Sequence, residues 1–87
     1  MPLRDPRLRP ALERVPPADD NVPGNSRPDF TTWLFLFGDG DWHPVTVKMW
    51  RRDRFGREIV DVEWHATGST WSETYVVSPD KMRELEA

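Results

Sequence analysis

Two alternating stretches constrain this chain more than anything else in it. Val45, Val47 and Met49 fall on one side of an extended segment, and Val60, Val62 and Trp64 fall on one side of another. Between them lies Asp-Arg-Phe-Gly at 53–56, where Gly56 can take the positive φ that a tight loop demands. Period-two alternation on both sides of such a turn predicts an antiparallel hairpin with one apolar face. Burial then sets the register: Met49 opposite Val60, Val47 opposite Val62, Val45 opposite Trp64. A slip of one residue would set Val47 against Asp61 and expose several side chains, each worth about 1.5–3 kcal/mol. Cross-strand charge pairs are worth only about 0.2–1 kcal/mol, and they agree, with Lys48 facing Asp61 and Arg51 facing Glu58. This alignment sends Trp50 to the outer, polar face opposite Ile59, where a large aromatic calls for a binding role.

The same texture extends to both sides of the hairpin. FTTWLFLF (30–37) reads as a strand, GDGD (38–41) as a turn, and WHPVTVKMW (42–50) as a second strand with an edge or bulge at Pro44. EIVDVEWH (58–65) is a third strand, ATGS turns the chain, and TWSETYVV (70–77) is a fourth. SPDKMREL (78–85) starts like a helix, with Ser78 as cap, Pro79 at the first position and Asp80 in the first turn. Met82 and Leu85 would then face the sheet. The expected fold is mainly β: a four-stranded antiparallel meander, a small barrel or curled sheet, with a short C-terminal helix and a disordered N-terminal arm. Residues 1–28 form the arm, because they hold seven of the nine prolines and little to bury. Residues 29–87 form the β domain. Within the arm, PALERV (10–15) is the one alternative, a helical turn with Leu8, Leu12 and Val15 on the side facing a partner. So short a helix has little stability of its own.

Strand four admits two registers. If Trp71 pairs with Trp64, then Trp71 and Tyr75 enter the core and Glu73 is drawn inward opposite Val62, costly for an unpaired carboxylate. If the turn holds one more residue, Thr74 and Val76 face inward instead. Trp71, Glu73 and Tyr75 then line the outer face near Asp61, Glu63 and His65, a strip suited to a basic peptide. The first register is preferred, since a small domain needs the apolar mass. Strand one has Trp33, Phe35 and Phe37 on one face and Leu34 and Leu36 on the other, so more than one sheet layer must cover it.

Composition narrows the classes. A domain of about 60 residues buries only about 60% of its unfolded surface. With no cysteine for disulfides or thiolate metal sites, five tryptophans and four phenylalanines must supply the core. The N-terminus has no hydrophobic signal region and no apolar run nears the roughly 20 residues of a membrane span, so a cytoplasmic protein without a membrane partner is expected. A net charge of −3 opposes general polyanion binding. The tip KMWRRDRFGREIV (48–60) carries five cations. Lys48 and Arg51 are matched across the strands, which leaves Arg52, Arg54 and Arg57 beside Phe55. Strong phosphate binding takes about six to ten contacts.

No catalytic, cofactor or metal site is expected. His43 and His65 point to opposite faces. Ser72 or Thr74 beside His65 lacks any oxyanion-donating motif. Asp61 and Glu63 suit a solvated strand, GDGD lacks the later acidic ligands of a calcium loop, and there is no glycine-rich phosphate loop.

A strand ending in WLFLF, then GDWHPVTV, REIVDVEW and ETYVV with a short terminal helical turn, resembles the small SH3-like and Tudor-like barrels over residues 30–85. The resemblance implies binding of peptides, modified side chains or nucleic acid through an aromatic-lined groove, and rarely catalysis. The short third turn and the lack of an evident fifth strand depart from it; a flat four-stranded sheet under the helix is the alternative. The leading expectation is a non-enzymatic module that binds a protein or peptide through Trp50, Ile59, Asp61, Glu63, Trp71, Glu73 and Tyr75. The alternatives are nucleic-acid binding by Arg52, Arg54, Phe55 and Arg57, or a homodimer that buries the first strand.

Overall fold

The computed structural model describes residues 8–16, 26–66 and 68–85. Its strands are β1 (Arg27–Leu36), β2 (Trp42–Arg52), β3 (Glu58–Ala66), β4 (Ser69–Val76) and β5 (Met82–Glu84). They form one antiparallel sheet in the order β4-β3-β2-β1-β5, which is not closed. The fold is mainly β, as the alternation predicts, but with five strands in place of four.

Among the described residues the expected C-terminal helix is reduced to one turn. Pro79–Lys81 makes a single 3-10 turn, and β5 then pairs with β1, Met82 against Phe35. The Ser78 hydroxyl donates to Asp80 Oδ1 at 2.6 Å and caps no helix amide. Helix-starting residues lose here to the open edge of β1, whose backbone groups offer partners to an extended segment. Met82 is buried, whereas Leu85, expected to face the sheet, is exposed.

Val47 pairs with Val62, and both are fully buried. Beyond that pair the register shifts, with Met49 against Asp61, Trp50 against Val60 and Arg51 against Ile59. Lys48 is the extra residue of a β-bulge. At the same level β1 has its own shift, between Pro28 and Thr31, where Phe30 takes a φ of 66°. Two bulges at one level bend and twist the sheet locally. The pairing of Met49 with Val60 is therefore wrong by one residue, and Trp50 lies on the inner face rather than the outer. Exchanging methionine for tryptophan keeps that position apolar, so alternation alone could not separate the two.

Strand four adopts the register that buries it: Trp64 opposite Trp71, Val62 opposite Glu73, Val60 opposite Tyr75. The core gathers Phe35, Phe37, Val45, Val47, Val60, Val62, Trp64 and Tyr75, and Leu12 of the arm joins it. Residues 8–16 thus pack on the sheet and form no helix. They run from Phe37, just past β1, to the free edge of β4, bending at Ala11 and Leu12, with Pro10, Leu12 and Val15 buried. Ala11 N–H donates to Leu36 O at 2.7 Å and Gly38 N–H to Arg9 O at 3.0 Å. At the far end Val15 N–H donates to Thr74 O and Val76 N–H to Glu13 O, each at 2.8 Å. The rest of the predicted disordered arm, 1–7 and 17–25, lies outside the described residues. β1 begins at Arg27, two residues before the predicted domain boundary.

On the outer face Leu34, Leu36 and Trp42 are half-buried, with the Arg83 guanidinium 4.0 Å from the Trp42 ring centroid. Among the described residues no helix is long and apolar enough to cross a membrane.

Candidate functional site

The seven residues predicted to form one binding strip do not share a face. Trp50, Trp71, Glu73 and Tyr75 lie on the inner side, opposite Val60, Trp64, Val62 and Val60 in turn, while Ile59, Asp61 and Glu63 alternate to the other. Ile59 is fully buried. Asp61 is clamped by Arg51, whose Nε and terminal nitrogen donate at 2.9 and 2.6 Å, and it accepts from the Thr74 hydroxyl at 2.5 Å. Glu63 lies 4.0 Å from Lys48 Nζ. The bulge has moved both predicted charge pairs, since Arg51 takes Asp61 and Lys48 reaches Glu63.

The bulge also builds a cavity. Trp33 of β1 and Trp50 of β2 meet edge to face, ring centroids 5.4 Å apart and planes at 67°. Their indoles are fixed by a polar relay. Trp50 Nε1–H donates to Asp29 Oδ2 at 2.7 Å, the Thr31 hydroxyl to Asp29 Oδ1 at 2.7 Å, and Trp33 Nε1–H to the Thr31 oxygen at 3.0 Å. The Trp50 and Thr31 donors hold the Asp29 carboxyl below its ordinary range. Beside the rings opens a cavity of about 400 Å³, lined by Asp29, Glu58, Val77 and Met82 as well as the two indoles. Arg27 also borders it, its guanidinium 5.7 Å from the Trp50 ring centroid. Two aromatic walls and two carboxylates thus face one opening, with the Arg27 guanidinium at its border.

A second hollow of about 340 Å³ lies on the opposite face, bordered by Phe30, Lys48, Met49, Asp61, Ser72 and Thr74. Phe30 is 67% exposed there. A positive φ is a rare state for so bulky a residue.

Glu73 sits where the preferred register drags it, its side chain only 8% exposed. It is not unpaired. Arg9 Nε lies 3.2 Å from one oxygen and Arg14 Nε 2.8 Å from the other, and the Tyr75 hydroxyl donates to the carboxylate at 2.7 Å. Burial, reinforced by that carboxylate, pushes the Tyr75 hydroxyl far above its ordinary range. Arg9 also lies over the Trp71 ring, 4.7 Å from its centroid. The indole nitrogens of Trp64 and Trp71 are buried with no hydrogen-bond partner. Sequence reasoning missed Arg9 and Arg14. The signal was Glu73 itself, a carboxylate among core positions that required a cation from somewhere.

At the hairpin tip Asp53 is buried and accepts from the Phe55 and Arg57 amides, each at 2.9 Å, and from Arg57 Nε at 2.7 Å. Burial alone would raise its pKa, but the Arg57 amide and guanidinium and the Phe55 amide outweigh it and hold the carboxyl low. Arg52, Arg54 and Arg57, expected to be free, are engaged. Arg57 also reaches Glu13 at 2.7 Å, Arg52 donates to Gly56 O at 3.0 Å, and Arg54 lies 5.0 Å from the Phe55 ring centroid.

Asp39, Asp41 and His43 have ligating atoms within 4.8 Å of one another. Their contacts are those of a turn, with Asp41 N–H donating to Asp39 Oδ1 at 3.0 Å and His43 Nε2 2.9 Å from Asp39 Oδ2. His65 is on the other face, 3.1 Å from the Thr70 hydroxyl. No family model, no curated protein and no solved structure matches the chain.

Proposed function

We propose that the protein is a non-enzymatic interaction module whose Trp33–Trp50 cavity receives a cationic side chain of a partner protein or peptide. One observation carries this reading: two partly buried indoles 5.4 Å apart border one cavity together with Asp29 and Glu58. Arg27, stacked at 5.7 Å on Trp50, supports a guanidinium as the kind of group these rings accept. A cation on an aromatic face contributes about 0.5–2 kcal/mol, more where water is excluded. The return of β5 to β1 supports reading the curled sheet as a small SH3-like barrel.

The experiment is an NMR titration of the full chain with a glycine-serine peptide carrying one arginine, compared with the same peptide carrying glutamine. The arginine peptide should move the Trp33 and Trp50 indole N–H resonances, and Trp50→Leu should weaken binding about tenfold. No movement of either indole with the arginine peptide would refute the cavity as the site. The rival reading, nucleic-acid binding at the tip, rests on Phe55, which is exposed with Arg54 and Arg57 against its ring. It predicts oligonucleotide affinity that falls steeply with salt.

A further inference from the structure

The arm occupies the free edge of β4 in the manner of a bound peptide. Val15 and Glu13 exchange backbone hydrogen bonds with Thr74 and Val76, the pattern by which an extended ligand adds a strand to a sheet. Its two arginines, five positions apart, converge on one buried carboxylate, Glu73. Leu12, between them, enters the core cluster.

The fit is incomplete in one respect. Trp71, on whose ring Arg9 lies, and Trp64, 5.8 Å from Phe37 and 6.4 Å from Tyr75 by ring centroids, keep buried indole N–H groups without acceptors. Phe37 and Tyr75, which flank the Trp64 ring, are the residues the arm's two bridges pair with, and Trp71 packs against the same core cluster beneath Arg9. A buried donor left unpaired is costly, so a segment that supplied acceptors there would hold this seat better than the arm does. Buried Pro10, Leu12 and Val15, four backbone bonds, the Glu73 bridges, the Arg57–Glu13 pair and Lys81 Nζ on Ala11 O hold the arm against the entropy of ordering nine residues.

We propose that the seat of residues 8–16 is a second peptide-binding site, and that the arm is its displaceable internal occupant. The ligand is an extended basic segment of a partner protein. It pairs with the edge of β4, places two cations on Glu73, and turns a carbonyl or carboxylate toward the Trp64 and Trp71 indoles. This site is separate from the Trp33–Trp50 cavity and stands or falls independently of it.

The test uses a fluorescent synthetic peptide with the sequence of residues 8–16 as probe. In the full chain the arm competes for the seat, so the double variant R9E/R14E, which loosens it, should bind the probe about tenfold tighter than the parent. Adding Glu73→Gln, or replacing both probe arginines by glutamine, should remove that gain. Equal probe affinity for parent and R9E/R14E would overturn the proposal. So would a concentration-dependent dimer of the parent that R9E/R14E abolishes, because it makes a second copy the occupant. Should R9E/R14E fail to fold, hydrogen exchange on the parent decides. Val15 and Val76 amides exchanging well before Val60 support an arm that opens alone, and exchange in step with Val60 contradicts it.

Discussion

At the scale of single residues, Asp53 is buried and fully donated to, whereas Phe30 is exposed and strained. Asp53 is a buried carboxylate whose donors overcome its burial, so its folded pKa lies below the unfolded value of about 3.9. A depressed carboxylate contributes stability that is present above the unfolded pKa and lost as pH falls through the folded one. Urea unfolding of the parent should therefore show a midpoint that drops from pH 4 to pH 2. Asp53→Asn should lower the midpoint at pH 7 and flatten the acid slope; an unchanged slope would mean that the carboxyl titrates normally. Phe30 carries the reverse balance, an exposed ring on a left-handed backbone. Asparagine tolerates that conformation better, by about 1 kcal/mol or less. Phe30→Asn should leave the urea midpoint equal or raise it, and a clear fall would show the ring to be packed.

At the scale of elements, the arm and the C-terminal segment exchange the roles their sequences suggest. Proline and charge make residues 8–16 read as a tail, yet Leu12 and Val15 are buried. The cap signature at Ser78 reads as a helix, yet only three residues wind before the chain becomes β5. In both places an open sheet edge outbids local propensity, because unsatisfied backbone groups on β1 and β4 accept whatever extended segment reaches them. Leu12→Ala should cost up to about 2 kcal/mol by urea denaturation, the low end for truncating a buried leucine, because an arm that undocks alone caps the loss. Leu85→Ala should stay within about 0.5 kcal/mol, as surface changes do. The opposite ranking would restore the disordered arm and the packed helix.

At the scale of the whole molecule, the sequence speaks clearly where one face is apolar and the other is not. Val47 against Val62, Trp64 against Trp71, and the burial of Tyr75 all follow from alternation, since slipping any of them exposes apolar surface. The bulge at Lys48 leaves no such trace. Met49 and Trp50 are both apolar and adjacent, so an inserted residue trades one for the other with no change of pattern. That single unseen residue moves Trp50 from an outward position into the cavity with Trp33, while the register of β4 is what takes Trp71, Glu73 and Tyr75 inward. The arm was equally silent, since pairing between residues about 60 apart in the chain leaves no local period to read. Only the carboxylate of Glu73, stranded among core positions, implied a distant cation.

The position of Trp50 decides whether the cavity exists, and cross-strand nuclear Overhauser contacts in the full chain measure it directly. The bulged register places the Trp50 indole against the Trp33 ring and the Val60 methyls, with Met49 beside Asp61. Contacts from Met49 to Val60 instead, with Trp50 facing Ile59 on the polar side, would contradict the bulge and remove the proposed cation receptacle with it.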